Sequence, residues 1–255
     1  MLNEKHPTQA MFDRQAELWT CNRLLASLPP PATERLRPFL EMISAEKGDT
    51  LFEPGDDVSH AYFPLGRTVI AFTLPLRDGR AIEAATVGRE GVVGGIISLG
   101  VKPAFARAVI RIPGDLARVG IQRLEEAKRA EPRLQENLTR YADCLIAQVL
   151  QSVACATVHP LEARCSRWLL MMQDRLQAPQ LPMTQDALAE MFGVARTYVT
   201  RMARGLQRKG AISYRRGVIR IEDRAVLEAS ACECYGLVRD HFERVLPGIY
   251  PTREP

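Results

Sequence analysis

Apolar positions recur along this chain with different periods in different stretches. Residues 8 to 28 read as a helix anchored by Leu18, Leu24, Leu25 and Leu28, and "PPPATERLRPFL" (29–40) starts a short second helix after a proline stop. From 48 to 120 the texture changes. Short β-rich runs ("TLFEPGD", "HAYFPLG", "TVIAFTLPL", "AIEAATVG", "ARAVIRIPG") are punctuated by Gly, Pro and Asp. Eleven of the 17 glycines fall here, the pacing expected of an antiparallel roll or sandwich with tight turns.

Beyond 120 the glycines stop until Gly193, and "AEPRLQENLTRYADCLIAQVLQSVACATVH" reads as one long helix with Pro132 tolerated in its first turn. Leu134, Leu138, Tyr141 and Leu145 form a narrow coiled-coil-like seam, and Ile146, Val149 and Val153 form a second stripe. A helix with two apolar stripes is expected to serve two surfaces, and the Leu134 to Leu145 seam is assigned to a twin subunit. The alternative is a core helix packed on its own domain. Another helix opens at Pro160 and carries Trp168, Leu169 and Leu170. The expected division is a helical lead-in and β-roll over 1–122, a long dimerisation helix over 123–158, and a third domain with a C-terminal extension over 159–255.

Residues 184–201, "TQDALAEMFGVARTYVTR", are two short apolar-periodic runs split by Gly193. Thr184 suits an N-cap, and Leu188, Met191 and Phe192 give the first run one apolar face. In the second run Val199, Met202, Ala203 and Leu206 turn inward. Thr197, Thr200, Arg201, Arg204 and Arg208 share a polar face, with Arg196 and Tyr198 flanking its start. This is the pattern of a helix-turn-helix, whose second helix enters the major groove. Arg can bridge guanine O6 and N7, and Thr can bond a base or touch a thymine methyl. "AISYRRGVIRI" (211–221) follows as two short strands around Arg216–Gly217, and Arg215 and Arg216 make it a basic wing able to brace the DNA backbone.

Charge placement supports the same partner. The chain carries only +4, but residues 180–222 hold eight basic side chains against three acids, so the remainder sums to −1. Hydrophobic content of 46% and charged content of 25% are those of an ordinary globular protein. No apolar run is read as a membrane span and the N-terminus lacks a signal-peptide core, so a cytoplasmic protein with no membrane partner is expected. The six scattered cysteines are expected to be reduced thiols. No nucleophile–base set, phosphate-cradling loop or metal-ligand spacing is found, which argues against an enzyme.

The order of β-roll, long helix and winged helix-turn-helix resembles the Crp–Fnr family of bacterial transcription regulators. The resemblance runs from about Leu24 to Ile221. It is carried by "EKGDTLFEPGDDVSHAYFPLGRTVI" and "TQDALAEMFGVARTYVTRMARGLQRKGAI". It implies an α+β fold: an N-terminal β-roll of the cyclic-nucleotide-binding jelly-roll kind, a long dimerisation helix and a C-terminal winged helix-turn-helix. It implies a homodimer on double-stranded DNA at a palindromic operator, with RNA polymerase as a candidate further partner. By position, Arg196, Thr197 and Arg201 are similar to the family's base-reading residues, and Thr184 and Gln185 to its phosphate contacts.

The chain also departs from that family. A nucleotide pocket there resembles Gly-Glu-Leu followed, ten residues after the Glu, by Arg-Ser. Here Gly95, after Gly94, stands in place of the Glu, and Phe105–Ala106 in place of Arg-Ser. Arg107 lies two residues late, and a shifted register is the one rescue. Gly94, Gly95, Phe105, Ala106 and Arg107 are therefore the candidate effector pocket, expected not to take cyclic AMP or GMP, and the effector is left open. An iron–sulfur sensor needs several cysteines near the N-terminus, where only Cys21 stands. Haem ligation through His60 or His159 is the lesser alternative. Cys232 and Cys234 could bind a soft metal or cycle by oxidation. With no other thiol or His close in sequence, they are expected to be two small buried residues. No cofactor or metal is expected. The rival functions are a regulatory subunit whose C-terminal helices hold a protein partner, and a cysteine-based redox or metal sensor version of the regulator.

Overall fold

The computed structural model describes residues 20–95 and 103–251. Residues 8–19 of the expected first helix, and 96–102 after the Gly94–Gly95 pair, lie outside that range. Within it the first helix is short. Asn22 caps α1 (Arg23–Ala26) by accepting from the Leu25 amide at 2.9 Å, and its amide also donates to Pro64 O and Gly91 O. Prolines open α2 (Pro30–Leu36), and a 3-10 turn follows at Arg37–Phe39.

The roll comprises β1 (Glu41–Ala45), β2 (Thr50–Phe52), β3 (His60–Pro64), β4 (Val69–Pro75), β5 (Ala81–Val87), β6 (Arg107–Ile112) and β7 (Gly114–Gly120). They form two antiparallel sheets, ordered β1-β7-β3 and β2-β6-β4-β5. Alternate residues turn inward, and Ile70, Val87, Ala108 and Ile110 of one sheet share a core with Phe63, Leu116 and Val119 of the other.

The segment expected as one dimerisation helix over 123–158 is two. α3 (Ile121–Ala130) ends at Glu131, whose extended backbone reflects the steric demand of the following proline, and α4 (Pro132–Val158) starts afresh. At 27 residues α4 is about 40 Å long. It is also long and apolar enough to cross a membrane by length and composition alone, which corrects the expectation that no run is. Its Leu134, Leu138, Tyr141, Gln148 and Cys155 side is buried in its own chain, as in a core helix.

That burial corrects the subunit seam. Leu134, Leu138 and Tyr141 are at most 1% exposed within their own chain, and half-buried Leu145 packs on the same core, so this stripe cannot meet a second copy. Gly91 shows how close the packing is: a Cβ there would lie 2.1 Å from the Tyr141 hydroxyl. Part of the second stripe is open instead. Ile146 is 50%, Leu150 65% and Val153 63% exposed, while Val149 turns toward the roll.

A second core lies at the DNA-reading end, built by α5 (Leu161–Leu176), β8 (Gln180–Pro182), α6 (Gln185–Phe192), α7 (Arg196–Arg208), β9 (Ile212–Arg215), β10 (Val218–Ile221) and α8 (Arg224–Ser230). β8 pairs with β10, so the wing is a sheet ordered β8-β10-β9. The extension corrects the 159–255 boundary. α9 (Cys234–Val245) runs back along α4, and Val238, Phe242, Leu246, Ile249 and Tyr250 join the core of the roll. Burying each of the larger of these side chains is worth about 1.5–3 kcal/mol.

Candidate DNA-reading surface and sensor cavity

Thr184 caps α6, its hydroxyl accepting from the Ala187 amide at 3.1 Å. Gly193 ends the helix in the left-handed region at φ 66°, and the Val194 amide returns to Ala189 O, closing a Schellman turn. Two links position the start of α6, one to α7 and one to the wing. Thr200 donates to Gln185 Oε1 at 2.7 Å, and the Gln185 backbone N–H donates to the Tyr214 hydroxyl at 3.2 Å. Gln185 is therefore partly committed to positioning α7.

On α7 the expected inward residues Val199, Met202, Ala203 and Leu206 are buried. The opposite face forms an open concavity of 710 Å³ lined by Thr197, Thr200, Arg201, Arg204, Gln207 and Arg208. Every residue of the expected polar face is in it, and Gln207 is an addition. None of these lining side chains is acidic. Arg196 and Tyr198 are exposed beside it. Arg196 pairs with Asp186 at 3.1 Å, and Arg201 sits 5.6 Å over the Tyr198 ring. Both partners of the Arg196 pair are 65% exposed, so opening it for a phosphate or base costs little. The wing turns at Arg216 (φ 50°) and Gly217 (φ 77°), two positive φ angles that make a tight primed hairpin and leave Arg215 and Arg216 exposed.

The DNA-reading end is docked on the roll. Trp168 Nε1 donates to Glu83 Oε1 at 2.8 Å, and a Cβ on Gly193 would lie 2.9 Å from Ile82 Cδ1. Glu83 also accepts from Arg111, yet burial pushes its carboxyl above the ordinary range. Deeper in, Arg175 of α5 reaches Glu90 and Thr86 of the roll and Gln148 of α4. Burial opposes its charge, and the Glu90 carboxylate more than restores it, holding the guanidinium pKa above its usual value. Nothing in the period or spacing of the sequence marks Arg175, because its partners lie far away along the chain.

Between the β2-β6-β4-β5 sheet, its flanking loops and α4 lies a cavity of 380 Å³, lined by Phe52, Val58, Phe72, Leu74, Val92, Leu145 and Val149 among others. Gly94, Gly95, Phe105 and Ala106 line it as expected. Arg107 does not. Its Nε pairs with Glu53, just beyond β2, at 2.8 Å, which holds the guanidinium away from the cavity and argues against the candidate rescue. Among the described residues no charged side chain lines this space. His60, weighed for haem, hydrogen-bonds Ser59 through Nδ1 at 2.9 Å. Cys232 and Cys234 are buried, but they are not isolated: the fold brings Cys155 and His159 beside them.

Comparison with known proteins agrees with this geometry. Residues 163–230 match the Crp-like helix-turn-helix domain. A global nitrogen regulator of Nostoc sp. is 27% identical over 192 residues, 71% of this chain and 84% of that protein. Another, from Synechocystis sp., is 24% identical over 236 residues, covering 89% of this chain and 96% of its own. The structure of FixK2 from Bradyrhizobium japonicum superposes with a TM-score of 0.66 at 18% identity, over 76% of this chain and 98% of that one. The DNA-reading end carries a Crp-like helix-turn-helix domain, and the chain as a whole is similar in sequence to transcription regulators of the Crp–Fnr kind and in fold to their solved structures.

Proposed function

We propose that the regulator acts as a homodimer joined along the open face of α4 at Ile146, Leu150 and Val153. The observation that carries this reading is the exposure of these three apolar side chains on one helix face while the neighbouring stripe is consumed by the chain's own core. Soluble monomers rarely leave such a row open to water. Two α7 helices related by a two-fold axis would enter major grooves about 34 Å apart on a palindromic operator. Arg201, Arg204, Thr197 and Thr200 are assigned to base edges. Arg196 and Tyr198 work at the helix entrance, and Thr184, Gln185, Arg215 and Arg216 lie along the backbone.

Control runs through α4. Leu145 and Val149 line the roll cavity, Gln148 bonds Arg175 at the docking point, and Ile146 and Leu150 face the subunit seam. Any ligand that prefers one arrangement of the cavity walls shifts the spacing of the two reading helices by population shift. The lining contributed by the described residues is apolar and offers no cation to a cyclic phosphate, which favours a signal other than a cyclic nucleotide. The setting is the cytoplasm, with double-stranded DNA as partner and RNA polymerase as a candidate second one. Sedimentation of the full chain with and without a duplex recovered by genomic selection tests the reading: a two-to-one complex supports it, and a one-to-one complex contradicts it.

A further inference from the structure

Cys155 and His159 are one turn apart at the end of α4, on the same face. Cys232 and Cys234 flank the entrance to α9. One ligand atom from each of the four lies within 4.8 Å of every other. Cys155 Sγ is 3.5 Å from Cys232 Sγ, and Cys234 Sγ is 3.5 Å from His159 Nδ1. We propose that these four side chains form a Cys3His site for a tetrahedral, thiophilic metal ion, with Zn²⁺ the best fit.

Sulfurs bonded at about 2.3 Å to a tetrahedral ion lie about 3.8 Å apart, close to the observed spacing. The surroundings are those of a metal site as well. His159 Nε2 meets Glu233 Oε2 at 3.2 Å, the carboxylate–imidazole arrangement that orients a ligating His and raises its basicity. Gln151 Nε2 donates to Cys234 Sγ at 3.0 Å, a bond that suits a thiolate better than a thiol. Three thiolates and Zn²⁺ leave one negative charge, and the buried guanidinium of Arg167, whose Nε has no partner, acts electrostatically on Cys155. Burial pushes the Cys155 thiol up, and the Cys232 thiol to about 12, so without an ion both stay protonated at neutral pH. An ion entering displaces the protons of Cys155 and Cys232. A Cys155–Cys232 disulfide is the competing chemistry, and it would leave His159, Glu233 and Cys234 without a role.

The four ligands bracket the Crp-like domain at 163–230, two before it and two after it. An ion there would close the chain around that domain and fasten it to α4. This consequence rests on the DNA-binding function, whereas the site itself does not.

The test is metal analysis of the full chain purified under thiol reductant without chelator. About one Zn²⁺ per chain is expected. Apo protein titrated with Co²⁺ should show thiolate charge-transfer and tetrahedral d–d absorption, with protons released as the ion binds. Cys234→Ser should lower Zn²⁺ affinity at least about 100-fold, and Glu233→Gln about 10- to 100-fold. Glu233 is 69% exposed, so its variant should fold even where a cysteine variant does not. Cys21→Ser, outside the cluster, should bind as the parent does. Failure of the reduced apo chain to bind Zn²⁺ or Co²⁺ at micromolar concentration would overturn the proposal. So would recovery of a metal-free chain with Cys155 and Cys232 oxidised to a disulfide. Weak DNA binding by a zinc-loaded chain would count against the regulator's mechanism and leave the site standing.

Discussion

Arg175 Nε donates to Glu90 Oε1 at 2.7 Å, and neither side chain is more than 2% exposed. The remaining donors of the guanidinium reach Thr86 Oγ1 at 3.0 Å, Thr86 O at 3.1 Å and Gln148 Oε1 at 3.1 Å. Glu90 Oε1 also accepts from the Gly88 amide. The roll, α4 and α5 therefore meet at one buried ion pair, in which Glu90 Oε1 takes both hydrogen bonds and Glu90 Oε2 has no partner among the described residues. Such a pair adds little net stability over an apolar pair of equal volume, but leaving one partner alone is expensive. It is suited to holding the domains in one arrangement.

Arg175→Met or Glu90→Leu should each destabilise the chain by about 3–5 kcal/mol, because each strands a polar group in the interior. Arg175→Met combined with Glu90→Leu should cost clearly less than the sum of the single changes. Urea unfolding of the four proteins reads this directly, and additive losses would show that the pair is not coupled.

The open face of α4 gives a second pair of contrasting variants. Leu150→Asp should yield a folded monomer with poor DNA affinity, since the residue is 65% exposed within its own chain. Leu138→Asp should fail to fold, because it places a charge in the core. Sedimentation and circular dichroism distinguish the two, and a dimeric Leu150→Asp chain would rule out this seam.

Much of this was legible in the sequence, and the limits have physical causes. The helix-turn-helix was visible because Thr184, Gly193 and the 3.6-residue period act locally, within two turns of helix. The roll was visible through its turn residues. Periodicity showed that α4 has two apolar stripes but not which one faces inward, and the assignment of Leu134, Leu138 and Tyr141 to a partner was reversed. That choice depends on Gly91 and on an extension packing from over a hundred residues away. Pro132 does sit in the first turn of α4 as the sequence indicates, and its effect on Glu131 also divides α4 from α3. The Arg175–Glu90 pair and the gathering of Cys155 and His159 with Cys232 and Cys234 leave no local trace, because each joins segments more than 70 residues apart.

The apolar roll cavity leads to a calorimetric prediction. Cyclic AMP and cyclic GMP should give no heat of binding, and Arg107→Ala should leave that result unchanged, because its guanidinium is held by Glu53 at 2.8 Å. Micromolar binding abolished by Arg107→Ala would mean that the β6 register differs in the ligand-bound chain.

The most direct measurement of the account is equilibrium binding of a selected operator duplex across a salt series, for the parent chain, Arg201→Ala and Arg216→Ala. Affinity should fall steeply and log-linearly with salt, since several phosphates are neutralised at once. Arg201→Ala should cost about 1–3 kcal/mol and relax base preference at one position in each half-site. Arg216→Ala should weaken all duplexes alike and reduce the salt slope by about one for each wing that loses its phosphate contact. Operator binding insensitive to both substitutions, or no salt-dependent binding by the parent, would contradict the claim that the α7 face and its wing read DNA.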